Sequence, residues 1–263
     1  MNPEQPMNLQ PMTIMEIFSR SIRFYRDNFL KLVGIVIPGS VIVLIIYLLI
    51  FANQYGEMGS TVPAEAAQPP ETIAVLYVVM TLFIALFVSS VVTAAGTIVI
   101  SERFLDREIS IGQAYLRVLD VLFPLLGTLI LAAIAIYIGL MLFFVPGIIV
   151  YVWFCLIPPV VMIEGEGGLG ALKRSRVIVK DYFRKASLVA LLVIIEILVA
   201  SSPPNLLSNL PSLYYLSSFF SIFLLLLIEP FKIAATTMLY YDLRTRKEGY
   251  SLQVMAEELA DPP

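Results

Sequence analysis

The longest uncharged run in the sequence, from Val121 to Ile163, most constrains what the chain can fold into. Crossing the hydrocarbon core of a bilayer once takes roughly 20 apolar residues. This run is more than twice as long, so it predicts two crossings. Pro146 and Gly147 lie near its middle, and the turn between the two helices is expected there, at a membrane surface, because a buried break would leave backbone groups without hydrogen bonds. The run therefore predicts a helical hairpin with both ends on one side of a membrane.

The composition of the chain fits a membrane protein and narrows its chemistry. Of its 263 residues, 59% are hydrophobic and 14% are charged, which excludes a disordered chain and disfavours a soluble domain. The chain has no histidine, which excludes His-based acid–base catalysis, Ser–His nucleophiles and imidazole metal sites. We predict no enzyme, no catalytic residue, no cofactor and no metal site. The single cysteine, Cys155, is interpreted as a packing residue.

Three amphipathic segments precede apolar runs. When residues are placed at 100° steps, residues 13–31, 110–120 and 169–185 each separate a charged arc from an apolar arc. Thr13 with Glu16 three positions later is typical of a capping box, and Ser110 is a typical N-cap. These segments predict three helices that lie in the membrane interface. The N-terminal residues lack the pattern of a cleaved signal peptide, so we expect them to be retained.

The positions of the positive charges predict the topology. All 17 lysines and arginines except Lys232 lie in segments on one side of the predicted spans, and the connections on the other side, including an acidic flexible loop at 52–71, have none. Short loops rich in Lys and Arg stay cytoplasmic. We predict one all-α domain, residues 1–263, that crosses the cytoplasmic membrane six times with both termini in the cytoplasm and a cytoplasmic tail at 242–263. The predicted spans are Leu32–Phe51, Thr72–Ile100, two within Val121–Ile163, a fifth whose first part is Ala186–Ala200, and Leu213–Tyr241.

This arrangement repeats an amphipathic helix followed by a hairpin three times. The first and third copies share identical residues at a fixed offset; Arg20, Ser21, Asp27, Phe29 and Lys31 correspond to Arg174, Ser175, Asp181, Phe183 and Lys185. An internal duplication is one explanation, and biased composition is the other. Such repeats also occur in transporters, so the repeat selects no function.

Three segments carry a resemblance to a known family. They are MNLQPMTIMEIFSRSIRFYRDNFLKLVG, FFVPGIIVYVWFCLIPPVVMIEGEGGLGALKRSRVIVKDYF and PFKIAATTMLYYDLRTRKEG. Together they resemble the membrane domain that accompanies some bacterial glycerophosphoryl diester phosphodiesterases, and related stand-alone, uncharacterised prokaryotic membrane proteins. The resemblance implies a six-helix module of the cytoplasmic membrane. The catalytic barrel and its histidines are absent, so the phosphodiesterase activity is not carried over to any residue.

Ionisable side chains within the spans form the first candidate site. Glu196, Glu229 and Lys232 are placed there, and such groups are costly in lipid, about 3 kcal/mol each on insertion scales, so they usually pair or face the bundle interior. Glu229 and Lys232 share a helical face, and Glu196 lies at a similar depth to Lys232. Three readings stay open: structural pairing, a proton- or substrate-coupled role, and snorkelling of Lys232 toward the interface.

A basic helix face forms the second candidate site. The proposed anionic-lipid contacts on the segment 169–185 are Arg174, Arg176, Lys180 and Arg184. Leu172, Val179 and Phe183 are expected to be buried on its other side. Cations at headgroup depth attract anionic lipids, although the positive-inside rule alone would also place them there.

Two classes of function fit the sequence. The first is a non-enzymatic structural or lipid-associated module, whose partners are membrane lipids, anionic ones among them, and either other membrane proteins or a second copy of the chain. Nucleic acid is excluded because the cations are confined to the membrane plane. The second class is a small transporter or permease that uses Glu196, Glu229 and Lys232. A polar, water-accessible cavity around these residues would favour transport, and a filled, dry core would favour the module.

Overall fold

The computed structural model describes residues 10–55, 71–206 and 211–260, and within these ranges all regular structure is helical. The helices of the described part are α1 Ile14–Asp27, α2 Phe29–Tyr55, α3 Glu71–Phe104, α4 Ile111–Asp120, α5 Leu122–Leu142, α6 Phe144–Trp153, α7 Ile157–Glu164, α8 Gly168–Val179, α9 Phe183–Leu206, α10 Pro211–Glu248 and α11 Leu252–Ala260. The all-α prediction is confirmed for these residues. The predicted loop at 52–71 falls mostly on residues 56–70, which lie outside the described part.

Five helical segments of the described part are long and apolar enough to cross a membrane. They are Phe29–Ile46, Phe83–Phe104, Leu122–Leu142, Phe144–Glu164 and Phe223–Glu248. The chain is therefore a multi-pass membrane protein. The predicted span that starts at Ala186 lies in α9 and is not among the five.

The first two amphipathic helices begin at the predicted caps. The Thr13 hydroxyl accepts a hydrogen bond from the Glu16 amide, and the Glu16 carboxylate accepts one from the Thr13 amide. These two hydrogen bonds with Thr13 lower the pKa of Glu16, the one to the backbone amide most. Ser110 and Gln113 make the same reciprocal pair at the start of α4. Each cap satisfies amides that the first helical turn leaves without a partner.

The long hairpin is the strongest constraint in the sequence, but in the structure α10 is the helix at the centre of the bundle. It packs against α1, α2, α3 and α9. Its contact with α3 is close, because a Cβ built at Gly96 would lie 2.4 Å from Ile233 Cγ2. Hydroxyl pairs join the same two helices; they are Thr97 with Thr237 at 3.2 Å and Ser101 with Tyr241 at 2.6 Å.

The predicted hairpin forms, but its turn lies before Pro146–Gly147. Helix α5 ends at Leu142, Phe143 is extended, and α6 starts at Phe144. Pro146 therefore lies in the first turn of α6, where an amide has no intrahelical acceptor and its absence costs little. Gly147 matters for packing instead, because a Cβ there would lie 2.4 Å from Leu140 on α5.

The returning arm of the hairpin is two helices rather than one. Helix α6 ends at Trp153 and α7 starts at Ile157, with Pro158 in its first turn. Proline is favoured at such a start and cannot continue a preceding helix, so Pro158 and the adjacent Pro159 explain the break. At the other end of α7, Gly165 ends the helix at φ 66°, a left-handed conformation that glycine adopts without strain.

Two predicted helices end earlier than expected. The segment 13–31 divides after Asp27, and the segment 169–185 divides at a 3₁₀ turn, Lys180–Tyr182, so that α2 and α9 start at Phe29 and Phe183. The prediction was wrong there because the amphipathic periodicity of the sequence continues across both junctions.

The C-terminal part of the chain contains more helix than expected. Helix α9 runs to Leu206, and α10 starts at Pro211 and continues to Glu248. Within the predicted tail at 242–263, α11 buries Met255 and Leu259. Helices α1, α4, α8 and α11 gather at one end of the bundle, which we call the charged end.

Candidate functional site

Glu196, Glu229 and Lys232 come together as a triad between α9 and α10. The Lys232 Nζ atom lies 2.6 Å from Glu196 Oε2 and also forms a salt bridge with Glu229 Oε2. It also donates a hydrogen bond to Ser89 Oγ on α3, at 2.7 Å, and Ser89 donates to Glu229 Oε1 at 3.1 Å. The ammonium group of Lys232 therefore has three polar partners within the cluster.

The triad is buried, and its charges compensate one another. The exposed fractions of the side chains are 4% for Lys232, 6% for Glu229 and 16% for Glu196. Charges in a low-dielectric region are costly unless they are paired and hydrogen-bonded. The pairing joins α9, α10 and α3 at one point. This geometry agrees with structural pairing. Snorkelling of Lys232 is wrong, because its ammonium group is buried in the bundle.

A cavity of about 140 Å³ borders the triad at Ser89 and Lys232. Its other walls are largely apolar and come from α3, α5, α9 and the break between α6 and α7. Polar side chains also reach it from Thr93 and Thr236. The space next to the triad is thus small and mostly apolar, rather than a polar, water-accessible cavity.

The second predicted site divides into two parts. Arg174 is half-buried and held inside the protein, with Nε 2.5 Å from Glu164 Oε2 and Nη1 2.5 Å from Glu248 Oε1. Burial alone would lower the pKa of Arg174, but the hydrogen bonds to Glu248 and Glu164 raise it above its usual range. This guanidinium is a fixed positive charge that joins α7, α8 and the end of α10.

The other three predicted lipid contacts are exposed. The Arg176 guanidinium lies over the ring of Trp153, 4.4 Å from its centroid. Lys180 and Arg184 form no salt bridge within the described part of the chain. On the opposite side, Leu172 and Val179 are buried as expected, and Phe183 is half-buried.

A cluster that the sequence analysis missed lies around Asp242 at the charged end. Asp242 is 1% exposed and accepts hydrogen bonds from the Met12 amide at 2.5 Å and from Lys185 Nζ at 2.9 Å. Arg246, one helical turn later, pairs with the same carboxylate at 3.0 Å, and both cations donate to the Met12 carbonyl. We call this group the Met12 clasp. The spacing of Asp242 and Arg246 could have indicated a local pair, but nothing local indicates the contact with Met12.

A second missed cluster holds α11 on the bundle. Arg244 donates two hydrogen bonds to Glu258, each 2.9 Å long, and its guanidinium lies 3.9 Å from the ring centroid of Tyr250. The Tyr250 hydroxyl donates to Glu258 at 2.7 Å, and the Tyr240 hydroxyl donates to Glu164 at 2.8 Å. A planar guanidinium suits such bidentate and stacked contacts.

Among the described residues, no group of three His, Cys, Asp or Glu side chains is placed to hold a metal ion. No protein-family model, curated protein or solved structure matches the chain. The resemblance to the phosphodiesterase-associated membrane domain therefore stays a prediction.

Proposed function

We propose that this protein is a non-enzymatic module of the cytoplasmic membrane that binds anionic lipid headgroups through α8, the turn that follows it and the first residues of α9. The observation that carries this proposal is the two-sided character of this segment. Leu172 and Val179 are buried in the bundle, whereas Lys180 and Arg184 are exposed and free of salt bridges in the described part. Leu169 is also exposed, at 73%.

An exposed apolar residue beside exposed cations matches the boundary between acyl chains and headgroups. The apolar side chain of Leu169 would enter the acyl region, while the two cations remain at headgroup depth. Each cation near an anionic surface contributes about 1 kcal/mol. Lys180 and Arg184 together would contribute about 2 kcal/mol, which corresponds to roughly a 30-fold difference in affinity. Arg174 is not assigned this role, because two carboxylates already hold its guanidinium.

The test compares two charge-matched variants reconstituted with phosphatidylcholine and phosphatidylglycerol. Lys180→Gln with Arg184→Gln removes the two cations of the proposed site. Arg103→Gln with Arg107→Gln removes one cation from the last turn of α3 and one from the segment between α3 and α4. Retained phosphatidylglycerol is measured after purification at low and high salt.

We expect the first variant to lose phosphatidylglycerol, with the difference from the parent shrinking at high salt because exposed charges are screened. The second variant should retain it. An equal loss from both variants would contradict a site on this segment and would leave the positive-inside rule as the full explanation of these cations.

For the topology, we propose six crossings with both termini in the cytoplasm, and α9 as the crossing beyond the five segments already described. The pairing of Glu196 on α9 with Lys232 on α10 supports this, because it sets the two helices at a common depth. The test introduces Glu57→Cys or Lys173→Cys into a Cys155→Ser chain and labels intact cells with a membrane-impermeant thiol reagent. Only Glu57→Cys should react before the cells are opened. Labelling of both would refute the topology.

We also propose that the first and third helix-plus-hairpin units are copies. The helix after each interfacial helix starts at a corresponding phenylalanine, Phe29 or Phe183. The corresponding serines Ser21 and Ser175 are both fully buried. Their acceptors differ, since Ser21 donates to the Ile17 carbonyl of its own helix and Ser175 to the Trp153 carbonyl of α6. The shared burial supports duplication over biased composition, because composition alone does not fix a buried polar position.

The second candidate function is transport coupled to the triad, and the cavity beside Lys232 is the observation that favours it. Its mostly apolar walls and the mutual pairing of the three charges favour the structural module instead. An assay in proteoliposomes with an internal pH-sensitive dye distinguishes a transporter from a structural module. A transporter would give a proton leak or coupled flux that Lys232→Met abolishes, whereas the module gives the same trace as protein-free vesicles.

A further inference from the structure

The cavity beside the triad is a product of small side chains and of the broken returning arm. Ala132 and Ala133 line it from α5, Ala190 lines it from α9, and Phe154 and Cys155 line it from the break between α6 and α7. Packed interiors leave few voids larger than a water molecule. A space of about 140 Å³ at the meeting point of six helices is therefore a feature that requires a physical explanation.

The cavity is lined both by a residue at the outer surface of the bundle and by residues of its core. Leu86 is 43% exposed, whereas Ile157 is 1% exposed. Both residues lie inside segments that are apolar enough to cross a membrane. The side of the cavity that Leu86 lines therefore faces the hydrocarbon region, so a molecule that enters there must already be dissolved in the bilayer.

Size and lining indicate an apolar occupant. An engineered cavity of about 150 Å³ lined by Leu, Ile and Phe stays free of water and binds benzene. The present volume of about 140 Å³ is close to that value, and most of the walls are apolar. The cavity can therefore accommodate a short stretch of hydrocarbon chain, but not a lipid headgroup.

The charges of the triad restrict which kind of chain end can enter the cavity. Lys232 is the one charged residue among the described residues that line the cavity, and its ammonium group is already shared by Glu196 and Glu229. Two carboxylates beside one ammonium group disfavour a further anion. A carboxylate is thus disfavoured beside the triad, while an uncharged chain terminus is not.

We propose that this cavity binds the end of one acyl chain of a bilayer phospholipid, whose headgroup stays at the membrane surface. The site is separate from the proposed anionic-lipid surface of α8 and does not depend on it. Binding of the chain would fill the space between α3, α5 and α9 that the protein's own side chains leave open.

The test reconstitutes the full chain into phosphatidylcholine vesicles that contain a trace of phosphatidylcholine with a diazirine at the end of one acyl chain. After photolysis, labelled residues are identified by mass spectrometry. We expect labelling at cavity residues that the bulk bilayer cannot reach, above all Ile157 and Ala190, which are 1% and 2% exposed. Labelling confined to outward-facing residues such as Ile134 and Ile138 would overturn the proposal.

Two variants test whether the label enters through the cavity. Ala133→Leu fills the cavity from α5 and should lower labelling of Ala190 and Ile157 about tenfold, the size of effect that a modest overpacking clash gives. Ile134→Phe adds bulk to a neighbouring residue that is 52% exposed to the outside, and it should leave the labelling unchanged. Equal labelling in both variants would contradict the proposal. The labelling pattern of the parent decides the question even if Ala133→Leu does not fold.

A competition arm tests the chemistry of the chain end. An excess of a phospholipid whose acyl chain ends in a carboxylate should leave labelling by the probe unchanged, because the two carboxylates of the triad disfavour a further anion. If this lipid displaces the probe from Ile157, the cavity accepts a charged chain end, and the assignment to an uncharged chain terminus is wrong.

Discussion

Replacing Lys232 with methionine tests the triad most directly. Methionine keeps an unbranched apolar chain but removes the ammonium group that pairs with Glu196 at 2.6 Å and with Glu229. The variant would leave two carboxyl groups in a buried site without their cation, and Ser89 would lose the donor that lies 2.7 Å from its hydroxyl.

The expected loss is large because both carboxylates lose their counter-ion together. Removing one partner of a buried pair costs about 3–5 kcal/mol. For a chain of this size, each kcal/mol lowers the unfolding midpoint by about 2–4 °C, so we expect a decrease of about 6–20 °C. The assay is thermal unfolding of the purified protein in a mild detergent, followed by the fluorescence of its single tryptophan, Trp153.

Two controls separate charge from volume. Phe223→Met changes a residue on the same helix that is 49% exposed, and it should leave the midpoint within about 2 °C of the parent, as expected for a surface change. The uncharged set Glu196→Gln, Glu229→Gln and Lys232→Met removes all three charges and should unfold near the parent, because replacing a whole buried ion cluster is often neutral. If Lys232→Met also unfolds near the parent, the triad does not hold the bundle together and the reasoning fails.

Three further changes have separate expected outcomes. Thr13→Ala removes the side-chain cap of α1 and should cost about 1 kcal/mol, seen as a lower unfolding midpoint; an unchanged midpoint would mean that the cap contributes nothing. Gly96→Ala places a methyl group 2.4 Å from Ile233 Cγ2 and should cost about 1–3 kcal/mol, and adding Ile233→Ala should make the combined cost smaller than the sum; strict additivity would argue against the close contact. Arg244→Gln removes the bidentate pair with Glu258 and should make α11 sensitive to limited proteolysis, whereas equal digestion of parent and variant would show that apolar packing alone holds α11.

Features that depend on neighbouring residues were predictable from the sequence. The caps at Thr13 and Ser110 follow from reciprocal hydrogen bonds within one helical turn, and both are confirmed. The contact between Glu196 and Lys232 was also predictable, because bilayer thickness fixes the depth of each residue along its helix. The membrane thus gives the two helices a common depth scale, which a soluble protein lacks.

Features that depend on distant parts of the chain were not predictable. The Met12 clasp joins a backbone near the N-terminus to Asp242, and no periodicity relates the two. The turn at Phe143 was misplaced for a different reason. Pro146 marks a nearby helix end but does not say on which side of it the chain turns, since proline is tolerated in the first turn of a helix. The break before Ile157 was missed for the same reason, because Pro158 also lies in the first turn of a helix.

The division of the triad between two helices has a consequence for biogenesis. Glu196 emerges from the ribosome 36 residues before Lys232, which at about 5–20 residues per second is a delay of about 2–7 s. During that interval α9 carries an acid whose insertion alone costs about 3 kcal/mol. We therefore expect the translocon to retain α9 until α10 arrives, so that the last two helices enter the lipid as a pair. A nascent chain arrested before Lys232 should remain cross-linked to the translocon through α9, and one arrested after α10 should be released.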